Sequence, residues 1–354
     1  MNKITFLATN RNLTVGSYRI WIDDLSYYLK EIGIGCSITG DPSVALNDDS
    51  DIVICAKSDA SWAPLIKKAN RKKKIGVINL SADSNVRADF VIVGSIEEKI
   101  SLSHHDHVFL YPLIERMFQE PSDYKMHADK ERIRIGFHGS YTHLCKFDFG
   151  LKSALEKFEQ KHNMELLVVT SNPSYQWDTG RPDIKNIIIK KWNHGTVKED
   201  FLSCDIGIVP NVTNLDFKDL DIGTSVDLGL FNTDYILRFK NKSNAGRAFV
   251  FHQLGVPVVA DITPSNIHIL GNPKNGFVAG NSRSWLKGLD ELSDYKKRQE
   301  IADSAKEELI GCTALSCGLK IYTKILRRFK WKREFYILLL EIILLKRCCF
   351  RQNL

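Results

Sequence analysis

The chain has 354 residues, of which 44% are hydrophobic and 26% are charged, so it has the composition of a globular protein and the length of two ordinary domains. Its net charge of +7 is concentrated near the end, because residues 315–354 hold ten lysines and arginines against two glutamates, and residues 1–314 sum to −1. A body without excess positive charge excludes a general nucleic-acid-binding protein.

The eight cysteines are scattered, and none has the paired spacing of a zinc or redox site, so the sequence predicts no metal site. Cys55 and Cys204 lie in apolar runs and are predicted to be small core residues. The first apolar run, residues 4–8, is too short for a signal peptide and predicts a strand. We therefore expect a protein of the reducing cytoplasm.

Strand and helix patterns alternate through residues 1–120. A polar loop that contains Gly16 separates strand 4–8 from an amphipathic helix over residues 18–32. A second helix is predicted over residues 60–69, and further strands are predicted at 51–56, 75–80, 90–93 and 108–113. This alternation predicts parallel βαβ units in a doubly wound sheet.

Residues 121–131 are polar, begin with Pro121, and are predicted to link the first domain to a second domain over residues 132–312. In the second domain, strands are predicted at 132–137, 166–170, 187–190 and 205–209, and helices at 151–162, 197–204, 284–292 and 294–309. The irregular stretch 211–241 is predicted to be a functional insertion. The predicted fold class is thus α/β, with two tandem Rossmann-like doubly wound domains that face a ligand cleft.

The segment KSNAGRAFVFHQLGVPVVAD, residues 242–261, carries the strongest functional signal. Lys242, Ser243 and Asn244 supply a cation and two N-cap candidates, Arg247 falls in the first turn, and Gly255 stands at the expected helix end. Free N–H groups and the helix dipole attract anions to such a start, so the segment predicts a diphosphate site. An ordinary α/β crossover, in which Ser243 and Asn244 only cap the helix, fits the same pattern.

Three other loops hold candidate residues. Gly139 and Ser140 follow strand 132–137 and either approach a ligand closely or form only a tight turn. In the first loop, Gly16 and Ser17 precede Arg19, which is either a cleft residue or a helix-surface residue. Asp83 follows strand 75–80, where it would act as a general base or form a turn.

Five segments, in order along most of the chain, resemble GT-B glycosyltransferases of the group-one kind: VGSYRIWIDDLSYYLKEIG, ADFVIVGSIEEK, IGFHGSYTHL, WNHGTVKEDFLSCDIGIVP and KSNAGRAFVFHQLGVPVVAD. The resemblance implies metal-independent sugar transfer, in which basic side chains and helix dipoles stabilise the leaving diphosphate. It implies no cofactor beyond a nucleotide sugar as co-substrate. It places the loops of Gly16 and Gly139 and the helix start at residues 242–247 around that donor, and it gives Asp83 the acceptor hydroxyl as its proton source. It places Trp192 and Asn193 beside the donor's base, although Trp192 also suits a core position.

The chain departs from this family at its paired glutamates. The resemblance places the two glutamates at positions 242 and 250, where this chain has Lys242 and Val250. Arg247, by contrast, stands at the position of a phosphate-binding cation. The second glutamate normally accepts hydrogen bonds from the ribose, which valine cannot do. Retention or inversion is therefore undecided. Two alternatives stay open: a non-catalytic GT-B-like protein that binds glycans or partners, and a sugar-nucleotide 2-epimerase.

Residues 313–354 are predicted to form a C-terminal helix and a basic apolar tail. The apolar run 335–345 is too short to span a bilayer, but lysine–arginine pairs flank it. We therefore expect residues 330–350 to touch an anionic membrane surface, while residues 313–329 pack back on the first domain. The leading hypothesis is a cytoplasmic glycosyltransferase at the inner membrane face that uses a glycan or lipid-linked acceptor in polysaccharide or glycolipid synthesis.

Overall fold

The computed structural model describes residues 3–31, 33–81, 84–119, 123–148, 150–211, 233–234, 239–240, 246–271 and 274–310. These residues form two six-stranded parallel β-sheets, each packed between helices, in a two-domain α/β architecture. The predicted fold class is confirmed. The predicted tail, residues 313–354, lies outside the described residues.

The first sheet has the strand order β2-β1-β3-β4-β5-β6. Its strands are β1 (Lys3–Leu7), β2 (Gly35–Thr39), β3 (Ile52–Cys55), β4 (Lys74–Ile78), β5 (Phe90–Val93) and β6 (Val108–Leu110). Its helical elements are α1 (Gly16–Tyr18), a π-helical turn (Arg19–Asp24), α2 (Leu25–Glu31), α3 (Pro42–Asn47), a 3-10 turn (Lys57–Trp62), α4 (Ala63–Ala69) and α5 (Ile96–Ser101). A 3-10 turn (Arg116–Phe118) follows β6 on the way to the second domain.

The second sheet has the strand order β14-β13-β10-β7-β8-β9. Its strands are β7 (Ile133–Gly139), β8 (Met164–Thr170), β9 (Ile187–Lys191), β10 (Ile206–Val209), β13 (Val258–Asp261) and β14 (Phe277–Ala279), while β11 (Thr233–Asp234) and β12 (Phe239–Lys240) form a separate antiparallel pair. The helical elements are a 3-10 segment (Tyr141–Asp148), α6 (Leu151–Glu159), α7 (Val197–Leu202), α8 (Gly246–Gln253), α9 (Pro264–Leu270), α10 (Ser282–Glu291) and α11 (Tyr295–Ile310).

The buried strands explain why the apolar runs of the sequence predict this architecture. Strands β3 and β10 are buried along their whole length, as expected for parallel strands covered on both faces. Cys55 and Cys204 are fully buried, which confirms them as small core residues. Gly255 follows the end of α8 by two residues and stops the helix: its φ of +72° suits glycine, and the N–H of Val256 donates to the carbonyl of Phe251 at 2.9 Å.

The helix predicted over residues 18–32 differs in detail, because it begins at Gly16 and contains a π-helical turn. The turn brings two charged side chains into the interior. Asp24 is 2% exposed, and its carboxylate accepts hydrogen bonds from the backbone N–H and Nε of Arg116 at 3.0 and 3.1 Å. The other buried charge is Arg19. No described helix is both long enough and apolar enough to cross a bilayer.

Polar contacts join the two domains. The hydroxyl of Ser265 donates to the buried carboxylate of Glu97 and accepts from the N–H of Ile96 at 2.9 Å. The side-chain amide of Gln253 accepts from the N–H of Glu115 at 3.0 Å and donates to its carbonyl at 2.8 Å. Because Gln253 ends α8, this helix is held directly against the segment that leaves the first domain.

Glu98 lies beside this interface and provides a test of its electrostatics. Burial is the main cause that raises the pKa of Glu98 to about 7, although its carboxylate accepts from the N–H of Gly94 at 2.9 Å. Since the folded pKa exceeds the unfolded value of 4.5, the contribution of Glu98 to stability is fully present below about pH 4.5 and is lost as the pH rises from there to about 7.

We expect Glu98→Gln, which keeps a hydrogen-bond acceptor, to unfold with a similar free energy at pH 4. At pH 8 the variant should be more stable than the wild type by about 2–3 kcal/mol. Denaturant unfolding at both values measures this difference, and Glu307→Gln, at an exposed position, is the control. A difference that stays constant across the pH range would contradict the prediction.

Candidate functional site

The candidate site lies where the strand order of the second sheet reverses. Strands β7 and β10 are neighbours, although they are not consecutive in sequence, and ligands of such sheets bind at this position beyond the carboxyl ends of the strands. Gly139 ends β7 with a φ of +151°, and a Cβ atom there would lie 3.5 Å from Cδ of Arg247. Asn211 lies two residues beyond the end of β10.

Arg247 is the second residue of α8 and points its guanidinium toward the end of β10. Its Nη2 donates to the carbonyl of Pro210 at 2.9 Å and to Oδ1 of Asn211, and its guanidinium lies 5.7 Å from the ring centre of Phe137. Its Nη1 is buried and has no hydrogen-bond partner among the described residues. Burial lowers the pKa of Arg247 to about 10, so the side chain stays charged at neutral pH.

A second cation lies on the other side of Asn211. Lys146, from the 3-10 segment after β7, is 4% exposed, and its Nζ donates to the carbonyl of Asn211 at 3.1 Å. The N–H of Asn211 donates to Oδ2 of Asp261 at 2.6 Å, and Oδ1 of Asp261 accepts from the indole of Trp285 at 3.1 Å. We call Lys146, Asn211 and Arg247 the cation cluster; their side chains offer N–H donors suited to an anion.

His138 supports the first turn of α8. Its Nε2 is 3.3 Å from the carbonyl of Arg247, which can only accept, so Nε2 carries the proton and donates. Its ring packs 4.5 Å from that of Phe201 and 5.0 Å from that of Phe251. Burial, followed by the charges of Arg247 and Arg19, lowers the pKa of His138 to about 3. The imidazole is therefore neutral and acts as a structural contact.

Arg19 is buried between the two domains and does not lie on an exposed helix surface. The residue is 7% exposed, and its guanidinium pairs with the carboxylate of Glu115 at 2.7 Å and donates to the carbonyl of Leu13 at 2.7 Å. It also lies 5.0 Å from the ring centre of Trp192 in the second domain. Because Trp192 belongs to the second domain, Arg19 connects the two domains.

The remaining predicted residues lie close in sequence to Arg19, Gly139 and Trp192. Gly16 lies beside the guanidinium of Arg19, whose Nη2 would be 3.9 Å from a Cβ atom on this glycine, and Ser17 is exposed in α1. Ser140 accepts a hydrogen bond from the hydroxyl of Thr142 at 3.0 Å and so shapes the turn after β7. Asn193 is exposed, and its Oδ1 accepts from the N–H two residues later at 2.8 Å.

Trp192 is partly buried against the apolar cluster beneath α8, so it contacts both the core of the second domain and Arg19 of the first. The structure therefore brings together Gly139 and Arg247, and separately Gly16, Arg19 and Trp192. Lys242, Ser243, Asn244 and Asp83 lie outside the described residues. Their predicted roles stay predictions.

Two members of the cation cluster are not predicted by the sequence. The sequence gives Asn211 only as the first residue of the irregular stretch 211–241, although its place directly after a predicted strand is a usable signal. A lysine at position 146 does not by itself predict a site residue, because lysines are common and the burial of this one depends on the fold of the preceding loop. Within the described part of the chain, no three His, Cys, Asp or Glu side chains gather in an arrangement suited to a metal ion.

No protein-family model and no curated protein sequence matches the chain. Solved structures do match it. A sucrose-phosphate synthase from Thermosynechococcus elongatus is 9% identical, with a TM-score of 0.64 over 94% of this chain and 100% of that chain. Anabaena HepE in complex with UDP and glucose is 10% identical, with a TM-score of 0.61 over 92% and 99%.

A Listeria monocytogenes protein described as a UDP-N-acetylglucosamine 2-epimerase is 11% identical, with a TM-score of 0.53 over 93% of this chain and 97% of that chain. The chain has the GT-B fold. At these identities the similarity establishes the fold, as predicted, and leaves the activity to be argued from the site. In this GT-B fold the cation cluster belongs to the second domain and Arg19 to the first.

Proposed function

We propose that the protein is a glycosyltransferase that moves a sugar from a nucleotide-sugar donor to a glycan or lipid-linked acceptor. The observation that carries the proposal is the cation cluster, where two basic side chains and an amide converge at the strand-order reversal beside the first turn of α8. The site suits a diphosphate, since several oxygens of one group can accept from fixed N–H donors. HepE, which has the same fold, is described with UDP and glucose, and this supports a nucleotide sugar here.

In the proposed reaction an acceptor hydroxyl attacks the anomeric carbon of the sugar, and the bond from that carbon to the diphosphate oxygen breaks. Negative charge then grows on the departing diphosphate. Arg247 and Lys146 stabilise it without reorganisation because their contacts with Pro210 and Asn211 already fix them. Asp83 is proposed as the base that takes the hydroxyl proton.

Val250 favours a second candidate function. It is 2% exposed and packs in the core beneath α8, so no carboxylate stands at the position from which the family holds the ribose. A GT-B-like protein that binds a phosphorylated glycan or a partner without turnover would not need that carboxylate. The epimerase is the other candidate, supported by the structural similarity to the Listeria protein.

One assay series separates these candidates. The full chain is incubated with a panel of UDP-, GDP-, CDP- and dTDP-sugars, with and without oligosaccharide or lipid-linked acceptors, and products are followed by NMR. Acceptor-dependent release of a nucleoside diphosphate supports the transferase, whereas inversion at C2 of the sugar supports the epimerase. Calorimetric binding without turnover supports the binding protein. No binding and no turnover with any nucleotide sugar would contradict the proposed function.

We also propose that the protein works at an anionic membrane surface through residues 330–350. The basic pairs Lys332–Arg333 and Lys346–Arg347 flank an apolar run that is too short to span a bilayer. We expect the full chain to float with vesicles that contain phosphatidylglycerol, less so at high salt, and a chain that ends at Phe329 to stay at the bottom of the gradient. Equal flotation of both chains would contradict this proposal.

A further inference from the structure

Asn211 is the buried residue that joins the two cations of the site. It is 2% exposed, and it contacts three separate elements of the second domain. Its carbonyl accepts from Lys146, its backbone N–H donates to Asp261, and its side-chain Oδ1 accepts from Arg247. Two of these contacts use backbone atoms, so among the described residues the side-chain amide bonds only to Arg247.

The chemistry of arginine fixes the orientation of that amide. A guanidinium has donors only, so the amide atom that faces Arg247 must be oxygen, and the NH2 group of Asn211 must face the other way. This Nδ2 is buried and has no hydrogen-bond partner among the described residues, and the same holds for Nη1 of Arg247. Buried donors without acceptors are costly, and two of them on hydrogen-bonded neighbours are arranged to donate to one shared anionic group.

We propose that Asn211 is a ligand-binding residue, which donates through Nδ2 to an oxygen of a bound pyrophosphate group while Arg247 donates to the same group through Nη1. The proposal deepens the proposed function, since the pyrophosphate is that of the nucleotide sugar. A neutral amide suits this place because it orients Arg247 without cancelling its charge. A carboxylate of the same shape would pair with the guanidinium and repel the ligand.

The test is the isosteric variant Asn211→Asp in the full chain, with inorganic pyrophosphate as the probe in titration calorimetry. We expect its affinity to fall at least about tenfold, since one donor is lost and a negative charge is added. The unfolding temperature without ligand should hold or rise, because the new carboxylate faces Arg247. Asn281→Asp is the matched control: residue 281 caps α10 through its side-chain oxygen, which aspartate retains, so binding should not change.

A second variant keeps the test valid if Asn211→Asp does not fold. Asn211→Ala keeps the backbone contacts with Lys146 and Asp261 and removes only the amide, so it should also bind pyrophosphate at least about tenfold more weakly. Affinity at the wild-type level in both variants would overturn the inference, as would a wild-type chain that does not bind pyrophosphate. Pyrophosphate binding that depends on Asn211, in a chain that binds no nucleotide sugar, would support the inference and contradict the proposed function.

Discussion

Replacing Arg247 by methionine should lower the affinity for UDP at least about 100-fold, with a matching loss of any sugar transfer, because a charged hydrogen bond to phosphate contributes about 1.5–3 kcal/mol and the positive charge acts in a partly buried place. The fold should survive, since methionine preserves most of the side-chain length and Arg247 is only half-buried. Calorimetry with UDP measures the first effect, and thermal unfolding measures the second.

Two further variants make this test specific. Arg247→Lys keeps the charge, but an ammonium group lacks the planar set of N–H donors with which the guanidinium reaches the Pro210 carbonyl, Asn211 and a phosphate together. The affinity of this variant for UDP should therefore lie between those of the wild type and the methionine variant. Arg132→Met is the matched control, because residue 132 precedes the opposite end of β7 and is exposed. A methionine variant that binds UDP as well as the control would remove Arg247 from the site.

Local sequence signals are enough to predict the element that carries Arg247. A helix start with polar residues, an arginine in the first turn and Gly255 at the end are local features, and the backbone of Gly255 takes the expected left-handed conformation. Alternating strands and helices likewise predict two parallel sheets. The order of strands depends on pairing between distant segments, which no local pattern specifies, and only this order places Asn211 beside Gly139.

Buried charge is the part of the site that the sequence could not predict. Arg19 fits an exposed helix position by composition, yet the π-helical turn directs it to Glu115 and Trp192. Such pairing depends on a carboxylate 96 residues away and on the packing of one domain against the other. Lys146 is similar, since its partner is a backbone carbonyl 65 residues away.

Helix α8 lies so close to its sheet that a larger residue in β10 should destabilise the fold. Gly207 of β10 pairs with Gly136 of β7, and a Cβ atom on Gly207 would lie 2.5 Å from the ring of Phe251, which is fully buried on α8. Gly207→Ala should therefore displace this ring and lower the free energy of unfolding by about 1–3 kcal/mol, as overpacked cores do. Denaturant unfolding measures the loss.

Anion binding should weaken in the same variant, because Phe251 packs on His138, and His138 holds the carbonyl of Arg247. Gly35→Ala is the control: this glycine lies in β2, and a Cβ atom on it would meet only a lysine side chain, at 3.5 Å, so stability should hardly change. Adding Phe251→Leu to Gly207→Ala should restore part of the stability, since the two sites share one contact and their effects are not additive. If the double variant lost the full sum of both single effects, the steric explanation would fail and the position of Arg247 would have to be fixed by other contacts.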